Sequence, residues 1–114
     1  MADNIFTKII TKQIPAKIVY EDDRVLAFRD IKPAALVHVL IVPKREIANV
    51  TAARAEDESL LGHLLTVAAE IARSEGIAET GYRLVINNGR DAGQAVAHLH
   101  VHLLGGRVLG WPPG

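Results

Sequence analysis

No cysteine occurs in these 114 residues, which removes disulfides, thiolate metal sites and cysteine nucleophiles together. Net charge is absent as well, since 13 basic residues balance 13 acidic ones. A chain without a positive field has nothing to hold polymeric nucleic acid or an anionic membrane surface, so any anion must be bound by a local site. Long apolar runs are missing too: Thr7 and Lys8 interrupt the first one, which predicts no signal peptide, no bilayer span and a cytoplasmic protein. There is no Walker lysine motif, no internal repeat and no low-complexity tract, so a P-loop and a repeat architecture are excluded in their usual forms. The length suits one domain over residues 1–114, with a single core.

What remains is a sequence of short β-prone runs and one long helical pattern. Ile5, Phe6, Ile9 and Ile10 repeat at helical spacing behind Asp3 or Asn4, which predicts a short capped helix before Pro15. Lys17 to Tyr20 and Arg24 to Phe28 read as a hairpin around the acidic turn Glu21-Asp22-Asp23. Leu36 to Val42 is almost continuously apolar and ends at Pro43, as a central strand would. From about Glu56 to Ser74 the period changes to 3.6, with Gly76 as the stop. The apolar arc of that helix is broad enough to call for a second helix or subunit over part of it. Tyr82 to Ile86 is a further strand, followed by a Gly/Asn-rich loop from Asn87 to Gln94. Sequential strands with one long helix predict an α+β domain on an antiparallel five-stranded sheet.

The last strand carries the chemistry. His98, His100 and His102 alternate with Leu99, Val101 and Leu103, so an extended chain puts three imidazoles on one face and the apolar side chains on the other. His63, by contrast, sits on the polar stripe of the long helix with Thr66, Glu70 and Arg73 and receives no functional role. Metal binding is one reading of the triad. Its outer members are about 13 Å apart on a straight strand, whereas zinc needs ligand nitrogens about 2 Å from the ion, so three cannot close on one ion. His38 is available for a two-histidine site, but no spacing supplies the remaining ligands. Nucleophilic catalysis is the other reading, in which one imidazole attacks and its neighbours set tautomers and handle protons. The preceding loop, Asn87 to Ala95, offers glycine backbone and neutral amides suited to phosphate oxygens in an uncharged protein.

The run His98-Leu99-His100-Val101-His102-Leu103-Leu104 resembles the signature of the histidine triad family. Further segments are similar to its nucleotide-binding Hint branch: Glu21-Asp22-Asp23-Arg24, Ile41-Val42-Pro43-Lys44, Asp57 to His63, Gly93-Gln94, Gly105-Gly106-Arg107 and the ending Trp111-Pro112-Pro113-Gly114. The resemblance implies a homodimer with joined sheets, no metal or other cofactor, and hydrolysis of purine nucleoside 5′-phosphoramidates to the monophosphate and an amine. It assigns His100 as nucleophile, His102 as phosphate contact and helper in protonating the amine, and His98 and His38 as orienting groups. It puts Ile5, Phe6, Ile9, Phe28, Ile31 and Leu40 in an apolar base pocket and Asp30 at the ribose hydroxyls. Asn87, Gly93, Gln94 and Val96 approach the phosphate or hold its loop.

Two positions depart from the branch. Ala95 stands where serine is common, which removes one hydrogen-bond donor at the phosphate or leaving group. Arg29 stands beside Asp30 where relatives often carry histidine, and is expected to bear on base or substrate preference. Two alternatives stay open at this point: cleavage of dinucleoside polyphosphates, and a nucleotide-binding interaction protein with weak catalysis.

Overall fold

The structure, a computed structural model, describes residues 4–114. The short helix α1 spans Ile5–Ile10. Asn4 caps it: its side chain accepts the Thr7 N–H at 2.9 Å and Thr7 Oγ1 accepts the Asn4 N–H at 3.0 Å, a reciprocal capping box that satisfies two otherwise orphaned donors. The alternative cap, Asp3, lies outside the described residues. Strands β1 (Ile18–Glu21) and β2 (Val25–Arg29) form the expected hairpin, and Asp22 closes its turn by accepting the N–H groups of Arg24 and Val25.

Strand β3 (Val37–Pro43), the long helix α2 (Glu58–Ser74), β4 (Tyr82–Val85) and β5 (Val101–Gly105) complete the domain. All pairings are antiparallel and the sheet order is β1-β2-β3-β5-β4, as the α+β reading requires. β3 reads as a nearly unbroken apolar run because both of its faces are covered. On one face Val25, Ala27, Val39, Ile41, Val101 and Leu103 pack against Leu64, Val67, Ala68, Ile71 and Ala72 of α2. On the other, Leu26, Phe28, Leu40 and Val42 pack against Phe6 and Ile9 of α1.

Strand ends shift by one residue from the sequence reading, and two element boundaries differ by more. The helix predicted from Glu56 begins at Glu58 behind a 3₁₀ turn at Ala55–Asp57, because the Asp57 carboxylate accepts the Arg54 N–H at 2.9 Å and pairs with Arg45. Its end is as expected: Ile77 N–H bonds Ala72 O and Gly76 N–H bonds Arg73 O, with Gly76 at φ 76°, the paired bonds of a Schellman stop. The larger correction concerns the histidine strand, which begins at Val101 rather than near Ala97. The Leu99 N–H leaves the ladder for Ile47 O at 2.7 Å, so His98 and His100 sit on irregular backbone and only His102 is in β5. The alternation of faces nevertheless persists, with Leu99, Val101 and Leu103 buried in the α2 core.

Candidate active site

The apolar residues between the histidines anchor the segment to the α2 core and thereby turn the imidazoles toward α1. Phe6 meets them there, its ring centroid 4.9 Å from His100 and 6.0 Å from His98, both edge-on. The His100 and His102 rings follow at 5.0 Å, and His38, from β3, lies 5.2 Å from His102. Four imidazoles thus form one contiguous array, with His98 fully buried and His38 and His100 nearly so.

Backbone groups fix the protons on these rings. Carbonyls only accept, so the 2.7 Å contact from His100 Nδ1 to His98 O and the 2.9 Å contact from His98 Nε2 to Pro43 O require Nδ1–H on His100 and Nε2–H on His98. The His100 lone pair is therefore at Nε2. In the other branch the Ala34 N–H donates to His38 Nδ1 at 3.0 Å. His38 then carries its proton on Nε2 and donates it to His102 Nδ1 at 2.9 Å, which leaves His102 with Nε2–H. Burial lowers the pKa of His38, partly offset by Asp30, and lowers that of His98 against the opposing bond to Pro43 O. His102 is pushed down to about 4, by burial first and then by the charges His100 and His38 would carry. All three are neutral at pH 7.

His100 and His102 open into a cleft of about 370 Å³ walled by Ile5, Phe6, Ile9, Phe28 and Leu40, with Asp30, Ile31, Ala95 and Val96 also lining it. That volume lies in the range of small-molecule sites. Phe6 and Phe28 meet edge-on at 5.7 Å on its floor. The sequence reading missed Ile14, Pro15 and Ala16, which close the cleft beyond α1; Pro15 was visible only as the end of the helix. Asp30 stands on a ridge between this cleft and an adjoining cavity of about 630 Å³ that His38 helps to line.

Of the other expected contacts, Arg29 also lines the cleft. The Arg29 guanidinium grips Glu75 at the end of α2 through two 2.9 Å contacts, so its charge is committed there. Gln94 is a latch: Oε1 accepts the Gly89 N–H at 2.8 Å, and Nε2 donates to Ala48 O at 2.7 Å and Val96 O at 3.0 Å. Gly93 takes the left-handed conformation, φ 78°, that ends the 3₁₀ turn Arg90–Ala92. Neither it, Gln94 nor Asn87 lines the cleft. His63, given no role from sequence, donates to or accepts from nothing in the cleft and instead meets Asp22 Oδ2 at 2.6 Å.

Asp30, His38 and His102 bring ligand atoms within 4.8 Å of one another, as a cation site would. The hydrogen-bond polarity opposes that use. A metal-bound imidazole donates its second N–H to an acceptor, whereas His38 Nδ1 faces the Ala34 N–H, so giving up the Nε2 proton would leave an imidazolate.

The HIT domain model matches residues 11–109. A HIT-like protein of Synechococcus elongatus is 61% identical over 98% of this chain and 97% of its own length. The purine nucleoside phosphoramidase of Escherichia coli is 56% identical over 95% of this chain and 91% of its own. A crystal structure of a HIT family hydrolase from Legionella pneumophila superposes with a TM-score of 0.96 at 48% identity, covering 98% of this chain and all of that one.

Proposed function

The chain belongs to the histidine triad family, and from that premise we propose that it hydrolyses purine nucleoside 5′-phosphoramidates, of the adenosine type, to the nucleoside monophosphate and an amine. The observation that carries this reading is the His100 ring, whose Nδ1–H is held by a carbonyl so that a lone pair faces the apolar cleft. The purine lies between Phe6, Ile9, Phe28 and Leu40, its burial driven by apolar contact. Asp30 accepts from the ribose hydroxyls at the rim. His100 Nε2 attacks phosphorus as the P–N bond breaks, and the carbonyl on Nδ1–H stabilises the imidazolium that forms. His102 donates Nε2–H to the phosphoryl group and the departing nitrogen, and solvent supplies the proton with which the amine leaves. Water then attacks the same phosphorus, the P–Nε2 bond breaks, and the proton of that water returns to solvent. His38 and His98 act by orientation, and no step calls for a metal.

Gln94 and Gly93 shape the loop that carries Ala95 and Val96 to the phosphoryl group. Two copies joined through a sheet edge complete the reading: Leu65, from the broad arc of α2, stays 45% exposed, and among the described residues β4 ends the sheet with an unpaired edge. A cytoplasmic setting suits a cysteine-free chain in which, among the described residues, no helix is long and apolar enough to cross a membrane. Incubation with adenosine 5′-phosphoramidate without added metal is expected to release AMP, with the nucleotidyl group trapped on His100 after rapid quenching. Undiminished release by His100→Ala would overturn the assignment, as would preferential cleavage of a dinucleoside polyphosphate.

A further inference from the structure

His102 faces the cleft with a proton on Nε2 because His38 donates to its Nδ1; His38 keeps its own proton on Nε2 because the Ala34 N–H occupies its Nδ1, and Asp30 Oδ2, 3.5 Å from Nε2, favours the same placement. The direction of the whole pair therefore depends on one backbone N–H, that of Ala34, in the loop between β2 and β3. One end of that loop is fixed locally: Asp30 Oδ1 accepts the Lys32 N–H at 2.8 Å, and the Asp30 N–H bonds His38 O at 3.0 Å. The other is held from outside. Arg107, just beyond β5, donates Nη2 to Ala34 O at 3.0 Å while its Nη1 reaches Val108 O at 3.0 Å. Gly106 makes this approach possible. It sits at φ +90°, and a Cβ there would fall 2.8 Å from Leu36 Cβ, so the backbone leading into Arg107 lies directly against the loop.

We infer that Arg107 is a positioning residue for the proposed reaction: by gripping the Ala34 carbonyl it fixes the residue whose N–H keeps the Ala34–His38–His102 chain polarised toward the cleft. The inference rests on the phosphoramidase reading only for its kinetic consequence. If the Ala34 N–H turns away, His38 Nδ1 is free to take the proton and His38 Nε2 becomes an acceptor. His102 must then place its own proton on Nδ1, and its Nε2 meets the phosphoryl oxygens with a lone pair instead of a donor. Nothing in the apolar base pocket changes. The effect falls on turnover and leaves substrate capture largely intact.

Imidazole ¹⁵N spectra of the full-length protein read the tautomers directly and need no substrate. The parent is expected to show Nε2–H for both His38 and His102, and Arg107→Ala to show a mixture. With adenosine 5′-phosphoramidate, Arg107→Ala should lose about fivefold in kcat, the weight of one ordinary hydrogen bond, with KM within about twofold. Arg107→Lys retains a donor for Ala34 O and should recover most of both signals. Tautomers in Arg107→Ala identical to the parent's, in a variant with unchanged circular dichroism, would overturn the inference whatever the enzyme hydrolyses. A changed spectrum in a protein that never releases AMP would instead retain the tautomer control and overturn the phosphoramidase reading.

Discussion

Replacing Gln94 by Leu tests whether the loop before the histidines is built or merely present. The amide makes three bonds, to Gly89 N–H, Ala48 O and Val96 O, between 2.7 and 3.0 Å. Leu keeps the bulk and leaves all three backbone groups without their partner. At about 1 kcal/mol each the loss is roughly 3 kcal/mol for fully buried groups, and the partial exposure of Gln94 brings it to about 1.5–2 kcal/mol. A second tie remains, because Asn88 Oδ1 still accepts the Thr51 N–H at 2.8 Å and its hydroxyl at 3.0 Å. The loop should therefore open locally without carrying the sheet with it. Amide exchange at Gly89 is expected to accelerate about 10- to 30-fold, which is that energy at 1.4 kcal/mol per decade. Core amides such as Leu40, in the middle of β3, should not move. Acceleration below about threefold at Gly89 would refute the latch, and equal acceleration at Leu40 would show that the loss is global.

The pH dependence follows from His102. Its folded pKa, about 4, lies below the unfolded value near 6.5, so the unfolded chain binds the proton more tightly and stability falls as pH drops from about 6.5 toward 4. The loss amounts to roughly 3 kcal/mol across that window, and urea titrations of parent and His102→Asn at pH 7 and pH 4.5 should show the dependence shrink in the variant. Ala95→Ser restores a hydroxyl on the cleft wall shared with His100 and His102; one added charge-directed donor is expected to raise kcat about tenfold. Equal single-turnover rates for the two proteins would mean that no reacting group comes within reach of position 95.

Features set by local periodicity were legible in advance. The period and end of α2, the burial of β3 and a polar cap just before Ile5 all follow from residues close in sequence, and the structure has each of them. The start of the histidine strand was not, because it turns on a bond from Leu99 to Ile47 that no period encodes. The ion pair of Arg29 was hidden for the same reason: its partner Glu75 comes from the end of a distant helix. His63 shows the complementary case. Its polar-stripe position was read as structural, and it is tied to Asp22, where Tyr20 Oη also donates at 2.7 Å. The triad itself was conspicuous, yet the sequence held no sign of which nitrogen of each ring carries the proton. That is decided by the backbone of Ala34, Pro43 and His98, groups that every residue possesses.

This dependence on backbone and neutral rings has a consequence for how an anion is held. Among the described residues lining the cleft, Arg29 alone carries a positive charge, and that charge is spent on Glu75; Asp30 contributes a negative one. The phosphoryl group of the proposed substrate is then met by Nε2–H of neutral His102 and by loop amides, which act as oriented dipoles over a few ångströms and not as point charges. Salt screens separated charges with a Debye length of about 8 Å at physiological strength, but it has little purchase on dipoles in contact with their ligand. KM for adenosine 5′-phosphoramidate is therefore expected to change less than about twofold between 50 and 500 mM salt, and any drift should be downward as the repulsion from Asp30 is screened. A site built on free lysine or arginine would lose affinity steeply over that range. A tenfold rise in KM would mean that a mobile cation, such as exposed Lys17 on the wall of the adjoining cavity, swings in to hold the phosphoryl group, and would overturn the neutral-donor account.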